Sequence, residues 1–248
     1  MKMKALAIIQ ARISSTRLKS KALLDLCGKP MICHVIERTK AIKGIESVIL
    51  ATGDGEKNYP LSDIASQSNI EFFAGSEDNV LERFFSVSRE RDCGYVIRVT
   101  GDNPLTDFES ASKALEYAME TDADHAAVLG IPVGTGVEVI KKNALQKAYE
   151  SGHEPYHKEH VTPYIKEHPE IFRLMKYQSA LINPYPNLRL TVDTIEDFKL
   201  MEIIYNELYR GDLIRLKDVI DLIDRRPELQ SINSNIEQRP MIHHSCKS

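Results

Sequence analysis

Between residues 7 and 30 the sequence reads AIIQARISSTRLKSKALLDLCGKP. An apolar run at 5–10 leads directly into Arg12, Arg17, Lys19 and Lys21, interleaved with Ser14, Ser15, Thr16 and Ser20. Arginine offers a rigid fork to phosphate oxygens and lysine a mobile point charge. Cations and hydroxyls gathered after a strand suit a polyanion such as a nucleoside triphosphate, because ligands of open α/β sheets lie just beyond that edge. The competing reading is a solvated basic loop, as charge runs usually are. Two carboxylates extend the set. Asp102 lies in VTGDNPL, where Gly101 permits a sharp turn and Pro104 stops a strand. Asp193 ends LRLTVD, with Thr194 already opening a helix. Mg²⁺ takes one or two protein carboxylates and completes its octahedron with phosphates and water. Two aspartates at strand ends fit that demand, with helix capping the alternative role for each.

The elements that must carry these residues alternate. Strands are predicted at 5–10, 47–52, 71–74, 95–100, 125–129, 137–141, 172–177 and 188–193 from β-branched or alternating apolar runs. Helices are predicted at 29–40, 61–68, 79–91, 106–120, 143–150, 157–168, 194–209 and 216–225. Asn79 with Glu82, Thr106 with Glu109 and Thr194 with Asp197 supply capping pairs. Such alternation predicts a three-layer, doubly wound α/β fold around a mostly parallel, mixed sheet. Both aspartates then project from the same sheet edge as the first loop. Residues 1–225 are expected to form one domain, with a nucleotide-binding half over 1–129 and an acceptor-binding and dimerisation half over 130–225. Residues 226–248 hold two prolines and little periodicity, so they are expected to wrap the surface or to be disordered.

The chain has 248 residues, 42% hydrophobic and 27% charged, as in an ordinary enzyme domain. A net charge of −4 speaks against nucleic acid as a partner, since its binders are usually basic. No apolar run reaches the roughly 20 residues of a membrane span, and no cleavage site follows the amino-terminal stretch. Cys27, Cys33, Cys93 and Cys246 lack C-x-x-C spacing and read as thiols in a reducing cytoplasm. His243, His244 and Cys246 have metal-ligand chemistry but stand in a polar tail. No phosphate-binding G-x-x-x-x-G-K-[ST] and no dinucleotide-binding G-x-G-x-x-G follows the first strand.

The first loop resembles the signature of the cytidylyltransferases that activate sugar acids, the CMP-KDO and CMP-acylneuraminate synthetases, and most of all their SpsF-type branch of spore-coat polysaccharide biosynthesis. That signature runs roughly Q-A-R-x-G-S-T-R-L-P-G-K, then G-K-P-M. This chain keeps Gln10, Ala11, Arg12, Ser15, Thr16, Arg17, Leu18 and Lys21. It departs at Ser14, Lys19 and Ser20, where the family carries Gly, Pro and Gly. Glycine permits positive φ and close approach of the backbone to phosphate, so the two serines are expected to alter the loop path. VTGDNPL is similar to the family's Q-G-D-E-P-L and LTVDTIEDF to its D-T-P-E-D-L. The likeness thus spans residues 7–198.

The resemblance implies a Rossmann-like nucleotidyltransferase, a homodimer in the cytoplasm, that joins CMP from CTP to a sugar acid or related acid with release of pyrophosphate. It implies Mg²⁺ on Asp102 and Asp193, and catalytic roles for Arg12, Lys21 and Asp102. Gln10, Ala11, Arg12, Ser15, Thr16, Arg17, Lys21, Thr100 and Gly101 would line the nucleotide. Ser76 and Asn79 join them through the branch's G-S-E-x-x-V-L element, with a plain helix cap as the alternative. Glu138, Glu159 and His160 match that branch and would face the acceptor. His157 and His160 share a helical face, but without a third ligand they read as surface or core packing. Two further readings stay open: another nucleotidyltransferase or a sugar-nucleotide-dependent glycosyltransferase, and a non-catalytic nucleotide-binding protein, the latter suggested by Ser14, Lys19 and Ser20.

Overall fold

The computed structural model describes residues 4–15 and 17–237. Thr16, His243, His244 and Cys246 lie outside the described residues. In chain order the elements are β1 (Ala5–Gln10), β2 (Asp25–Leu26), β3 (Lys29–Pro30), α1 (Met31–Lys40), β4 (Ile45–Gly53), α2 (Tyr59–Gln67), β5 (Glu71–Gly75) and α3 (Val80–Arg89). They continue with β6 (Tyr95–Thr100), α4 (Phe108–Glu120), β7 (His125–Leu129), β8 (Glu138–Lys141), α5 (Lys142–Ser151), α6 (Pro155–His160), α7 (Pro163–Glu167), β9 (Leu174–Gln178), α8 (Ile195–Leu208) and α9 (Leu216–Arg225).

β1 is apolar at every position but Gln10, the pattern of a strand covered on both faces. It lies inside a seven-stranded sheet of order β5-β4-β1-β6-β8-β7-β9. The pairs are parallel except where β8 runs against β6 and β7. This is the doubly wound, mixed sheet that the alternation implied. Side chains of β1 divide by parity, as a strand requires. Ile9 packs with Leu50, Val99 and the α1 residues Ile32 and Val35 on one face. Ile8 packs with Ile49, Val96, Phe84 of α3 and Leu145 of α5 on the other. Each such buried aliphatic side chain contributes roughly 1.5–3 kcal/mol of transfer free energy. A third cluster joins Leu188, Leu190 and Val192 to α8 and α9 through Phe198, Met201, Ile220 and Ile223.

Several expected elements take a different form. The helix at 29–40 begins at Met31, because Lys29 and Pro30 pair with Leu26 and Asp25 around a turn in which Cys27 (φ 54°) and Gly28 (φ 85°) are both left-handed. The helix at 157–168 is two helices, broken where Val161 adopts φ 71° and Pro163 starts α7. Residues 188–193 form no strand: among the described residues they make a single isolated bridge, Arg189 to Val133. Their alternation reports an apolar side packed on α8 and α9, with Arg189 and Thr191 buried on the other, not a paired strand. Thr106 and Glu109 form no capping box: the Thr106 hydroxyl donates to the Asn103 carbonyl at 2.8 Å, and Asp107 stands at the N-cap of α4. Residues 227–233 wrap onto the protein, with Leu229 buried against α8 and α9. Among the described residues no helix is long and apolar enough to cross a membrane.

Candidate active site

The first loop leaves β1 where the Ala11 N–H donates to the Ala51 carbonyl of β4 at 3.2 Å. It ends at Ser20, which adopts φ 51° and ψ 32° ahead of a single 3₁₀ turn, Lys21–Leu23. That is the conformation glycine reaches without strain, whereas Ser14 keeps a negative φ. The turn aims Lys21 across the sheet edge. Its ammonium donates to Asp102 Oδ2 at 2.8 Å, to Asp193 Oδ1 at 2.7 Å and to the Val192 carbonyl at 2.9 Å. Arg17 Nη2 lies 3.2 Å from Asp193 Oδ1. Two of the loop cations, Arg17 and Lys21, therefore meet the two aspartates, remote from them in sequence.

Each aspartate is held by its own local chemistry. Gly101 donates its N–H to the Gln10 carbonyl at 2.8 Å, and a Cβ at this position would stand 2.7 Å from Ala11 Cβ. Only glycine lets the two strand ends approach so closely. Asp102 then accepts the Val192 N–H on its carbonyl at 2.9 Å, which ties the two acidic segments together. Asp193 is positioned by the predicted Thr194–Asp197 capping box, in which Asp197 also accepts from the Asp193 N–H at 2.9 Å. Arg189 donates to Asp193 Oδ2 at 2.7 Å and to Asp197 Oδ1 at 3.0 Å. Burial opposes ionisation of Asp193, but Lys21, Arg17 and Arg189 outweigh it and hold the carboxyl below its ordinary range. Arg12 and Lys19 stand exposed with no ion-pair partner among the described residues.

The remaining predicted residues divide. Gln10 Oε1 accepts from Arg98 Nε at 2.9 Å, and Arg98 Nη1 donates to Glu138 Oε2 at 2.6 Å. Glu138 also accepts from Thr162, Lys166 and His125. Burial would raise its carboxyl, yet His125, Arg98 and Lys166 keep it well below the usual range. His160 is half-buried near Glu138 and Lys166, and burial lowers its pKa. Glu159 is exposed on α6, away from this cluster's bonds. Ala11 is buried, Ser15 is half-buried, and the Thr100 hydroxyl accepts from Asn103 at 2.6 Å. Ser76 and Asn79 cap α3: Ser76 Oγ accepts the Asn79 N–H and Asn79 Oδ1 accepts the Glu82 N–H. His157 pairs with Glu167 at 2.9 Å in the interior, the packing role weighed for it.

Sequence reasoning passed over Arg98, Arg189, Asn58 and Glu77. Arg98 carried a signal, a charge inside the buried strand YVIRVT. Arg189 carried a weaker one, sitting four residues before Asp193. Two carboxylates that converge on one ammonium present hard oxygen donors to a single cation position, and this donor set fits Mg²⁺. Among the described residues no cluster of three or more His, Cys, Asp or Glu forms an all-protein metal cage. Magnesium sites that borrow ligands from substrate phosphates need none.

A sequence model described as cytidylyltransferase matches residues 6–223. The chain is 37% identical over 240 residues to the uncharacterized protein MJ1063 of Methanocaldococcus jannaschii, covering 96% of this chain and 97% of that one. It is 30% identical to the spore coat polysaccharide biosynthesis protein SpsF of Bacillus subtilis, over 90% of this chain and 95% of that relative. Among solved structures, a cytidylyltransferase from Leptospira borgpetersenii superposes with a TM-score of 0.86 at 25% identity, over 96% of this chain and all of that one.

Proposed function

This chain belongs to the cytidylyltransferase family, and from that premise we propose that it transfers CMP from CTP to an anionic acceptor, a sugar acid or related acid, for surface polysaccharide synthesis. The observation that carries the reading is the meeting of Lys21, Asp102 and Asp193 directly beneath the cationic loop. An acceptor oxygen attacks the α-phosphorus of CTP in line, and pyrophosphate departs. Such a reaction needs positioning and charge neutralisation, with no covalent enzyme intermediate.

Arg12, Arg17 and Lys21 neutralise the triphosphate, with Lys19 as a further cation at the loop's outer side. Gln10, Ala11, Ser15, Thr16, Thr100 and Gly101 line the nucleotide, and Ser76 and Asn79 do so from the start of α3. Asp102 and Asp193 would hold Mg²⁺, which when bound polarises the α-phosphate and offsets charge on the attacking and departing oxygens. The Lys21 ammonium neutralises the two carboxylates, so the site is already shaped around a cation. Glu138, Glu159 and His160 face the acceptor, and Arg98 links that region to Gln10 at the nucleotide. The enzyme works as a cytoplasmic homodimer.

The test is pyrophosphate release from each of the four nucleoside triphosphates with Mg²⁺ and a panel of sugar acids. CTP-specific release that requires an acidic acceptor is the expected result. Release with neutral sugars alone, or an equal response to all four nucleotides, overturns the assignment.

A further inference from the structure

Between Ala11 and Ser20 no backbone–backbone hydrogen bond fastens the cationic loop among the described residues. Two side chains from the neighbouring strand ends do so instead. Asn58, 1% exposed, accepts the Ile13 N–H on Oδ1 at 3.0 Å and donates through Nδ2 to the Gly53 carbonyl at 3.0 Å and to Glu77 Oε2 at 3.1 Å. Glu77 accepts the Ser14 hydroxyl on Oε1 at 3.0 Å and has Lys57 Nζ 3.4 Å away. The end of β4 is shaped around this carboxylate, because a Cβ on Gly53 would lie 1.6 Å from Glu77 Oε2. Burial opposes ionisation of Glu77, but Ser14, Lys57 and Asn58 more than compensate, so the acceptor form is the resting one.

These bonds bracket Arg12. Its preceding residue is pinned to Ala51 and its following residue to Asn58, while its own guanidinium stays exposed. We propose that Asn58 and Glu77 are positioning residues that hold the first loop in its phosphate-receiving path, with Ser14 as the loop's own tether to Glu77. The tether belongs to this chain, because Ser14 stands where the resembling synthetases carry glycine. A glycine loop is free to mould itself on the ligand. A tethered loop is ordered beforehand, so less conformational entropy is lost on binding.

This inference deepens the proposed function and rests on it for the nucleotide, but its first test is independent of any substrate. In Glu77→Ala, amide hydrogen exchange over residues 11–15 should accelerate at least tenfold while the β1 and β6 amides keep their protection. Unchanged exchange in the loop overturns the brace whatever the protein binds. The second test is a double-mutant cycle of Ser14→Gly and Glu77→Ala, read as KM for CTP and kcat. Each single variant should raise KM about tenfold with a smaller change in kcat, and the pair should do no more than one of them. Fully additive effects overturn the tether. Failure of the wild-type protein to turn over CTP overturns the functional reading and leaves the exchange result standing. Glu77→Gln keeps an oxygen for Ser14 but sets an amide against Asn58, so it should fall between Glu77→Ala and the parent in both measurements.

Discussion

Lys21 and Asp193 stand 172 positions apart in the chain and 2.7 Å apart in the folded protein. The same ammonium reaches Asp102, so one lysine reports the convergence of three separate segments. The two carboxylates are not equivalent, however. Asp102 keeps 28% of its side chain exposed and pairs through one oxygen, whereas Asp193 is 16% exposed and spends both oxygens on Lys21, Arg17 and Arg189.

The asymmetry separates two variants. Asp102→Asn should lower kcat by a hundredfold or more, about 2.7 kcal/mol of barrier, while shifting stability by less than about 1 kcal/mol, as for a partly exposed pair. Asp193→Asn should lose activity and also about 2–4 kcal/mol of stability, because Arg189 and Lys21 lose a mostly buried counter-charge. Steady-state kinetics beside urea unfolding checks both. Equal stability losses would show that the two aspartates play the same structural part.

Much of this arrangement was legible in the sequence because its signals were local. Strands 5–10, 95–100 and 125–129 coincide with β1, β6 and β7, since each is a short, largely apolar run. Asp102 follows the predicted strand β6, whereas Asp193 was expected to end a strand that does not form. The misread parts depend on long-range context. LRLTVD alternates like a strand, yet its apolar side meets α8 and α9 and its polar side holds Arg189, so pairing never follows. The break at Val161 has no local marker except Pro163, because its positive φ is imposed by the surroundings. Asn58 and Glu77 were illegible for the same reason: their partner is a loop more than forty residues earlier.

Ser20 carries strain that glycine would relieve. A left-handed L-residue costs roughly 1–2 kcal/mol, and glycine gives back about 0.5–1 kcal/mol through its freer unfolded state. Ser20→Gly should therefore raise Tm by about 2 °C, and Ser20→Val, β-branched in the same conformation, should lower it by more. Differential scanning calorimetry reads both. A lower Tm for the glycine variant would mean that the serine's conformation is not a source of strain.

His34 sets a pH dependence outside the site. Its ring is buried against Tyr205 and Tyr209, and Nε2 donates to the Leu26 carbonyl at 2.7 Å. Burial is the largest influence, and the pKa is pushed down to about 4 from 6.5. The unfolded chain therefore binds the proton first, so stability is complete above about pH 6.5 and falls as pH drops toward 4. The full loss amounts to about 3 kcal/mol. Urea unfolding between pH 7 and 4.5 should show this decline, and His34→Gln, which keeps the donor and removes the titration, should flatten it. An equally steep decline in the variant would assign the proton elsewhere.

Glu138 combines both kinds of behaviour. It is the common acceptor for Arg98, His125, Thr162 and Lys166, and its carboxyl is held well below the ordinary range although burial works the other way. Its contribution is thus present above the unfolded carboxyl's titration near pH 4.5 and is lost only as pH falls below that. This window lies beneath that of His34. Glu138→Gln keeps the shape but strands the Arg98 and Lys166 charges, so it should cost on the order of 3–5 kcal/mol at pH 7. It should also remove the steep acid limb below pH 4.5, which circular dichroism over an acid titration records. Replacing Arg98 as well, by Met, should recover part of the loss, because one stranded cation is gone. A double variant no more stable than Glu138→Gln would show that the cost comes from packing and not from unpaired charge.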